Sequence, residues 1–426
     1  MTRARDAGPF LIVGKAEPLA LKLSDRPMAQ RMHQPLKDIH ILDLSTVISG
    51  PMAVALLADQ GAAVIKVESI EGDTCRLIGP AKGDLSAIYI AANRGKRSIA
   101  LDLKAPASAK VLHALVRRAD LVVNNFRPGV MDRLGLDDAT LVGLNPRLIR
   151  LSITGYGADG PAAGDKAYDA VIQAVAGVCA SHRDQHSGNP GLVATLMCDK
   201  LTAMTAAQAV TAALYARSQD GRGRKVEVAM LDAMLAFQWP DAMYNHVFVD
   251  SPPAPYPEMG ATQKPWKTAD GFVATMGPQK AEFEAQCRAL GRPDIAEDPR
   301  FRTIPLRSRH QAELRALLEP LMAQFSNSEL QQAFRQHGAP LGRVNERSAV
   351  LTDEQVRHNA MLVEIDHGDL GRVRLARAAG KFDGQPMPAP GAAAHLGEHG
   401  QAVLAELGFD AAEVAALVAD GVLRLP

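Results

Sequence analysis

The segment 38–68 constrains the fold more than any other part of the chain, because it contains the pattern of a strand, a loop, a helix and a second strand in succession. The stretch DIHILDLS alternates and leads into the loop TVISGP. Residues 52–60 have helical character, Gly61 closes that helix, and AAVIKVE has the composition of a strand. The pattern therefore predicts a β–loop–α–β unit.

Further strand-like runs, separated by helical segments, continue this alternation. They lie at residues 98–103, 121–123, 148–153 and 225–230, and the proline that opens the helical segment 106–118 suits a first helical position. Strands alternating with helices predict an α/β fold with a doubly wound, mostly parallel sheet, as in Rossmann-like domains. Ligands of such folds usually bind outside the carboxyl ends of the strands.

A proline-dense stretch, SPPAPYPEMG, marks a boundary after the strands described above. Beyond it, the Asp270-Gly271 pair predicts a two-residue hairpin turn, residues 311–325 form an amphipathic helix, and VEIDHGDLGRVRLA returns to strands. We expect a loose N-terminal extension (1–35), a large domain (36–235), a linker (236–260), a smaller α+β domain (261–350), and a second linker with a C-terminal return to the large domain (351–426).

Charge and cysteine content exclude several classes of partner. The chain of 426 residues carries 47 Lys+Arg and 47 Asp+Glu, and this balance argues against a general role on nucleic acid or at a membrane surface. No apolar run approaches the ~20 residues that a membrane span requires. The four cysteines lack metal-type spacing, and we therefore expect a reduced, cytoplasmic enzyme without a metal site.

The usual motifs of several enzyme classes are missing from the sequence. The loop TVISGP lacks the G-x-G-x-x-G of dinucleotide sites, and no G-x-x-x-x-G-K-[ST] cradle for a nucleoside triphosphate occurs. G-x-S-x-G and H-E-x-x-H are also missing, and most of the twelve histidines are isolated. Acid–base, nucleophilic-serine and metal-dependent mechanisms therefore lose their usual support.

One aspartate has an unusual setting. Asp199 is the only acid in GLVATLMCDKLTAMTAAQAVTAALYAR, a segment composed largely of small or apolar residues. An ionised carboxylate withdrawn from water is costly unless something binds it, so such a residue commonly caps a helix, pairs with a cation or performs chemistry. Because Asp199 directly precedes the alanine-rich helical stretch 200–217, it sits where an N-cap belongs. Capping and catalysis both remain open at this point.

Nine ordered motifs give the chain a family resemblance. They are ILDLSTVISGPMAVALLADQGAAVIKVE, KRSIALDLK, NNFRPGVMDRLG, GYGADGP, AYDAVIQAVAG, CDKLTAMTAAQAVTAAL, GRGRKVEVAMLDA, TADGFV and LGEH. In this order they resemble the class III CoA-transferase family, which includes carnitine CoA-transferase, formyl-CoA transferase and α-methylacyl-CoA racemase. The resemblance extends from Leu36 to near the C-terminus.

The resemblance implies a function for Asp199. It would attack an acyl-CoA thioester, forming an aspartyl anhydride and then an aspartyl-CoA thioester, so that CoA moves to a free carboxylic acid. Coenzyme A is then a substrate, and no tightly bound cofactor is expected. The family also implies an intertwined homodimer. The CoA contacts implied by the resemblance fall on Val47, Ser49, Leu101, Lys104, Asn125, Phe126, Arg133 and Lys166.

Departures from the family pattern concern the acyl site. Where formyl-CoA transferase has a histidine and a glutamine, this chain has Thr46 and Ile48, which we expect to contact substrate. We therefore expect a branched or medium-sized aliphatic acyl group to be preferred over formyl or oxalyl. The stretch PEMGATQKP is not rich in glycine, unlike the loop that closes over oxalate in formyl-CoA transferase. Oxalate is therefore an unexpected acceptor.

Two alternatives remain beside the transferase. A racemase or epimerase of the same family needs a base on each face of the α-carbon, and this chain has Tyr168 where the racemases have a histidine. Tyrosine is a poor base at neutral pH, so Tyr168 and the following Asp169 are predicted to contact substrate in a transferase, with a structural role for Asp169 equally open. A non-catalytic Rossmann-like binding protein is the other alternative, but it would not need to retain Asp199.

Overall fold

The computed structural model describes residues 34–184, 187–258 and 263–426. Most of the expected N-terminal extension (1–35) lies outside the described residues, as do residues 259–262 of the proline-dense stretch. The strands, numbered along the chain, are β1 His40–Asp43, β2 Ala63–Glu68, β3 Ala81–Lys82, β4 Leu85–Ser86, β5 Lys96–Leu101, β6 Leu121–Asn124, β7 Ile149–Thr154, β8 Lys225–Ala229, β9 Trp266–Lys267, β10 Phe272–Ala274, β11 Gly342–Arg343, β12 Leu362–Asp366, β13 Arg372–Ala376, β14 Lys381–Phe382, β15 Gln385–Pro386 and β16 Leu423–Arg424.

The α-helices are numbered in the same way. They are α1 Ser49–Ala58, α2 Ala87–Asn93, α3 Ser108–Arg118, α4 Val130–Arg133, α5 Asp138–Leu144, α6 Asp169–Val175, α7 Val178–Ser181, α8 Met197–Asp220, α9 Met230–Gln238, α10 Lys280–Ala289, α11 Asp294–Glu297, α12 Ile304–Arg309, α13 Gln311–Met322, α14 Asn327–His337, α15 Arg347–Val350, α16 Glu354–His358, α17 Gly400–Glu406 and α18 Ala411–Ala419.

A seven-stranded sheet forms the centre of the larger part of the molecule. Its strand order is β16, β5, β2, β1, β6, β7, β8, and all neighbours are parallel except β16, which pairs antiparallel with β5. The prediction of a large, mostly parallel sheet is confirmed. Because β2 and β6 lie on opposite sides of β1, the sheet changes winding direction between β1 and β6, which is where such sheets bind ligands.

Helices cover both faces of this sheet. Alternate residues of β1 face opposite layers: Ile41 belongs to the core formed with α1 and α8, and Leu42 to the core formed with α3, α17 and α18. On the first face Ala53 of α1 and Ala203 and Ala206 of α8 are fully buried. Small side chains allow α1 and α8 to approach closely, which accounts for the alanine-rich composition around Asp199.

Several predicted boundaries differ from the observed ones: α1 begins at Ser49 and not at residue 52, and α13 ends at Met322 and not at residue 325. Strand β5 begins at Lys96 and ends at Leu101, not at residues 98–103, because Lys96 already pairs with Val64 of the neighbouring strand β2. The hairpin between β9 and β10 pairs Lys267 with Phe272, so its connection has four residues and not two. Asp270 in that connection accepts the backbone N–H of Asn327, 2.7 Å away.

The part of the chain after the proline-dense stretch has a sheet and a core of its own. Strands β9, β10 and β11 form an antiparallel sheet, and helices α10, α13 and α14 pack around buried residues that include Phe283, Phe301 and Phe334. The chain then returns to the large sheet, since β16 pairs with β5. On the way, Leu370 and Leu375 pack in a buried cluster with Leu85 and Tyr89. Within the described ranges, none of the helices is both long enough and apolar enough to cross a bilayer.

Candidate active site

The loops after β1 and β6 meet at the point where the sheet changes winding direction. The Thr46 N–H donates to Oδ1 of Asn125 (2.9 Å), and Nδ2 of Asn125 donates to the Thr46 carbonyl (2.7 Å). This reciprocal pair occupies both ends of the Asn125 amide. Asn125 therefore fixes the two loops to each other, and the backbone beside it forms one wall of a cleft.

A buried ionic network supports the loop after β1. Nζ of Lys96 donates to Asp43 (2.8 Å), and Nζ of Lys66 donates to the carbonyl of Ser45 (2.8 Å) and to Asp73 (3.0 Å). These charged side chains are almost completely excluded from solvent. Burial alone would raise the pKa of Asp43, but the attraction of Lys96 and Lys66 outweighs it and holds that pKa below its usual value. The loop is therefore tied to a rigid, charge-paired base.

Val47 of this loop has an unfavourable backbone conformation. Its φ is 68°, in the left-handed region, which is a rare conformation for a β-branched residue and stores strain. Two contacts hold it there: its N–H donates to Asp73 (3.1 Å), and its carbonyl accepts from Sγ of Cys75 (3.1 Å). This backbone conformation turns the chain directly into helix α1, whose first residue is Ser49.

Asp199 lies in the first turn of α8 and lines the same cleft. The helix begins at Met197, three residues earlier than the sequence predicts, and its N-cap position is Leu196. Asp199 therefore does not cap the helix. Its own backbone N–H donates instead to Oδ1 of Asp169, 3.1 Å away, while Gln173 donates to the other oxygen of Asp169 (2.6 Å). Asp169 thus satisfies a free N–H of the helix end from thirty residues away.

The carboxylate of Asp199 is held in an environment that disfavours its charge. The residue is 9% exposed. Burial, followed by the negative charge of Asp169, raises the pKa of Asp199 to about 6, while a hydrogen bond from the Ser49 side chain acts in the opposite direction. Among the described residues no lysine or arginine forms an ion pair with Asp199. A carboxylate of this kind at the wall of a cleft is typical of a functional site.

The cleft between these walls has a volume of about 380 Å³, which is within the range of ligand sites. Eight of the residues singled out in the sequence line it together: Thr46, Val47, Ser49, Asn125, Phe126, Lys166, Tyr168 and Asp199. The lining also contains two apolar residues that were not predicted from the sequence, Ile153 and Met230. Arg127 adds an exposed cation at the same wall as Phe126.

The other predicted site residues lie elsewhere in the structure. Ile48 does not line the cleft; it is buried against Leu85 and Tyr89, because the turn at Val47 directs it into that cluster. The apolar wall expected from Ile48 is therefore formed by other residues. Four more of the predicted residues lie outside the cleft lining. Asp169 is buried, with its carboxylate bound to the Asp199 N–H and to Gln173, and the Leu101 side chain is in the core of the large sheet. Lys104 after β5 and Arg133 at the end of α4 are exposed.

Sequence reasoning missed the residues beneath the cleft. Asp73 and Lys66 hold the strained loop, and Lys96 and Asp43 complete the network. A signal for one of them is present in the sequence, because Lys66 interrupts an apolar run that otherwise has the pattern of a buried parallel strand. A lysine inside such a strand requires a buried counter-ion. The partner of each lysine, however, is distant in sequence or lies in a loop.

Comparison with known proteins gives consistent results. The sequence model of CoA-transferase family III matches residues 36–400. The chain is 34% identical over 384 residues to a succinate–glutarate CoA-transferase of Agrobacterium fabrum, covering 88% of this chain and 96% of that protein. It is 30% identical over 396 residues to the succinyl-CoA:glutarate CoA-transferase of Homo sapiens, covering 92% of this chain and 90% of that one.

Solved structures show the same similarity. Rv3272 from Mycobacterium tuberculosis superposes with a TM-score of 0.77 at 29% identity, covering 87% of this chain and 99% of that chain. A CAIB/BAIF family protein from Brucella suis gives a TM-score of 0.75 at 31% identity, with 88% of this chain and 100% of that chain covered.

Proposed function

The chain belongs to CoA-transferase family III, and from this premise we propose that it moves CoA between an acyl-CoA and a free carboxylic acid through covalent intermediates on Asp199. The family resemblance read from the nine motifs is thereby confirmed, and the protein is a CoA-transferase. The observation that carries the covalent proposal is the position of Asp199: a buried carboxylate without a paired cation among the described residues, at the wall of the cleft.

The proposed reaction proceeds in balanced steps. The Asp199 carboxylate attacks the thioester carbonyl, releasing CoA thiolate and leaving an acyl-aspartyl anhydride. The thiolate then attacks the aspartyl carbonyl, forming an aspartyl-CoA thioester and releasing the first carboxylate. The acceptor carboxylate enters by the same steps in reverse, and Asp199 is regenerated. A carboxylate suits this chemistry because its anhydride is about as activated as a thioester, so neither intermediate is a trap.

The environment of Asp199 supports this role. With a pKa of about 6 the carboxyl group is mostly ionised at neutral pH, yet its charge is poorly compensated and therefore reactive. Ser49 stands at the N-terminus of α1 and hydrogen-bonds to the carboxylate. Backbone N–H groups at a helix N-terminus favour negative charge, so the start of α1 can stabilise the oxyanion that forms as the thioester is attacked.

Coenzyme A fits the outer part of the cleft. Lys166 and Arg127 line it and are exposed, and cations of this kind bind phosphate through charge-assisted hydrogen bonds. Phe126 lines the same cleft and offers a ring on which the adenine or pantetheine part of CoA can pack. Lys104 and Arg133 remain part of the proposal as contacts for phosphate groups that extend beyond the cleft.

A labelling experiment tests the covalent step. The enzyme is incubated with an acyl-CoA, quenched with hydroxylamine and digested, and the peptide that contains Met197, Cys198, Asp199 and Lys200 is examined by mass spectrometry. We expect a hydroxamate on Asp199, and none in Asp199→Asn. Asp165→Asn is the matched control, because Asp165 lines the same cleft but is exposed. It should label like the native enzyme.

Two outcomes of the labelling experiment would contradict the covalent step. Modification confined to Cys198 would assign the chemistry to the neighbouring thiol. Full transfer activity without any label would indicate a direct ternary mechanism. The same incubation in deuterated water also tests the racemase alternative. A racemase exchanges the α-proton of its acyl-CoA for deuterium, and a transferase does not.

The acyl specificity follows from the inner lining. Ile153 and Met230 add apolar side chains to the lining of the cleft that holds Asp199, and each methylene buried there contributes about 0.8 kcal/mol. We therefore propose an aliphatic acyl group larger than formyl or oxalyl. Initial rates with formyl-CoA, succinyl-CoA, glutaryl-CoA and a branched acyl-CoA, each with a panel of free mono- and dicarboxylates including oxalate, test this. Turnover of formyl-CoA equal to that of the larger thioesters would contradict it.

The distribution of exposed apolar side chains supports an intertwined homodimer. Large apolar residues are exposed on α8, on α9 and along the connection that follows α9, among them Tyr215 (70% exposed), Phe237 (56%) and Val249 (88%). The described hydrogen bonds of the small sheet unit are made within that unit or to the adjoining connection. Exposed apolar surface on the connection between two separately packed units suits a partner chain that covers it.

A further inference from the structure

A second cavity lies in the small unit, where helices α10, α12 and α13, strand β9 and the residues that follow β10 meet the end of the proline-dense connection. Its volume is about 280 Å³, and its lining is mostly apolar, with Trp266, Phe283, Leu290, Leu314 and Leu318 among its residues. None of the described residues that line it is acidic, whereas three of them are basic: Lys264, Arg307 and Arg315. The cavity therefore combines apolar walls with positive charge.

Arg307 is the most deeply placed of these cations, with 9% of its surface exposed. Its guanidinium donates to the carbonyls of Phe301 (3.1 Å) and Pro278 (2.5 Å) and lies 4.7 Å from the centre of the Phe283 ring. Both Pro278 and Phe283 line the cavity. The charged group is thus held at the cavity wall by neutral partners. Burial lowers the pKa of Arg307, with only weak compensation from Cys287 and Tyr256.

The other buried cations among the described residues differ from Arg307 because each has a carboxylate partner. Each of them forms an ion pair with a carboxylate: Lys66 with Asp73, Arg76 with Glu68, Arg94 with Asp59, Lys96 with Asp43, and Arg217 with Asp120. No such ion pair is formed by Arg307 within the described part of the chain. A buried charge without a counter-ion is costly, and an arginine in this state at a cavity wall points to an anionic ligand.

We propose that this cavity is a second binding site, which takes a free monocarboxylate with an apolar body. The carboxylate would pair with Arg307, whose planar guanidinium suits bidentate binding, and the apolar body would lie against Trp266, Leu314 and Leu318. The lining also includes two uncharged polar side chains, Gln286 and Thr275, and the Gln286 amide donates to the Thr275 hydroxyl. A phosphate-bearing ligand fits less well, because it would bring a multiply charged group against mostly apolar walls.

Binding of octanoate to the full-length protein, in the absence of any acyl-CoA, tests this site. Trp266 lines the cavity, so its fluorescence reports occupancy, and calorimetry gives the affinity independently. We expect saturable binding of octanoate, and at least tenfold weaker binding of 1-octanol, which has the same apolar body but no charge. Arg307→Gln should weaken octanoate binding at least tenfold and leave octanol unaffected. Arg309→Gln, an exposed arginine on the same helix, is the matched control and should bind within twofold of the native protein.

Further variants keep the test decisive. If Arg307→Gln does not fold, Leu314→Trp fills the cavity while leaving Arg307 in place, and it should abolish octanoate binding. Asp199→Asn should bind octanoate normally, so that failure of the transferase proposal and failure of this one can be told apart. Equal binding of octanoate and octanol, unchanged affinity in a folded Arg307→Gln, or no saturable binding at millimolar octanoate would each overturn the proposal. Arg307 would then be a structural tie between two carbonyls only.

Discussion

At the scale of single residues, the ionised Asp199 lowers the stability of the folded protein. A carboxyl group whose pKa is about 6 instead of 3.8 costs up to about 3 kcal/mol when it is ionised. We therefore expect Asp199→Asn to raise the free energy of unfolding by about 1–3 kcal/mol at neutral pH while abolishing transfer. Chemical denaturation measures the former, and Asp165→Asn, at an exposed position, should change stability by less than about 0.5 kcal/mol.

The pH dependence of this gain has a definite sign. Between about pH 4 and pH 6 the folded native protein binds more protons at Asp199 than the unfolded chain does, so its stability falls as pH rises through that interval. The stability difference between Asp199→Asn and the native protein should grow from near zero below pH 4 and level off above pH 7. A difference that does not vary with pH would mean that burial of the charge is not its cause.

The activity should follow the same ionisation. Because the nucleophile is the ionised carboxylate, kcat/KM for acyl-CoA is expected to rise with pH, with a midpoint near the pKa of about 6. Asp169→Asn removes the neighbouring negative charge but keeps an oxygen that can accept the Asp199 N–H. Its acid limb should therefore move to lower pH. An acid limb that stays in place in a folded Asp169→Asn variant would assign that limb to another group.

Ile48 illustrates how a family comparison can mislead at one residue. Its place in the loop suggested a wall of the acyl site, but its side chain is buried with Leu85 and Tyr89. We expect Ile48→Gln to lower the free energy of unfolding by about 1–3 kcal/mol, because a buried amide would lack partners there. The ratio of rates for formyl-CoA and a branched acyl-CoA should change little. A clear shift of that ratio toward formyl-CoA, without loss of stability, would return Ile48 to the substrate site.

At the scale of elements, the strands and most helices could be predicted from the sequence because each carries its own apolar pattern. The start of α8 could not be predicted, since Leu196, Met197 and Cys198 give no capping signal and the helix end is satisfied by Asp169. The path of the loop after β1 could not be predicted from the sequence either. It depends on Asp73, a residue whose neighbours in sequence do not reveal that it binds the Val47 N–H. Long-range polar contacts decide both features.

The conformation of the loop after β1 therefore depends on a single residue, Asp73. Asp73 receives hydrogen bonds from Val47, Lys66 and Cys75, and its side chain is fully buried. Asp73→Asn leaves the buried ammonium of Lys66 undercompensated, and we expect a loss of about 3–5 kcal/mol in the free energy of unfolding. Asp138, an exposed carboxylate that pairs with Arg150, is the matched comparison, and Asp138→Asn should cost less than about 1 kcal/mol. Equal losses in the two variants would show that the network does not support the loop.

At the scale of the whole molecule, the exposed apolar residues on α8, on α9 and on the following connection determine the last prediction. If two chains pass through each other, the dimer cannot separate without unfolding, and it should bury far more surface than the ~1,600 Å² of a standard interface. Two forms of the protein that differ only in a mass tag are purified separately, mixed at nanomolar concentration and examined by native mass spectrometry. We expect no mixed dimers after days under native conditions, but a statistical mixture after joint unfolding and refolding. Mixed dimers that appear within hours in native buffer, or a folded monomer in sedimentation at the same concentration, would mean that the chains associate side by side. The apolar connection would then have to be covered in some other way.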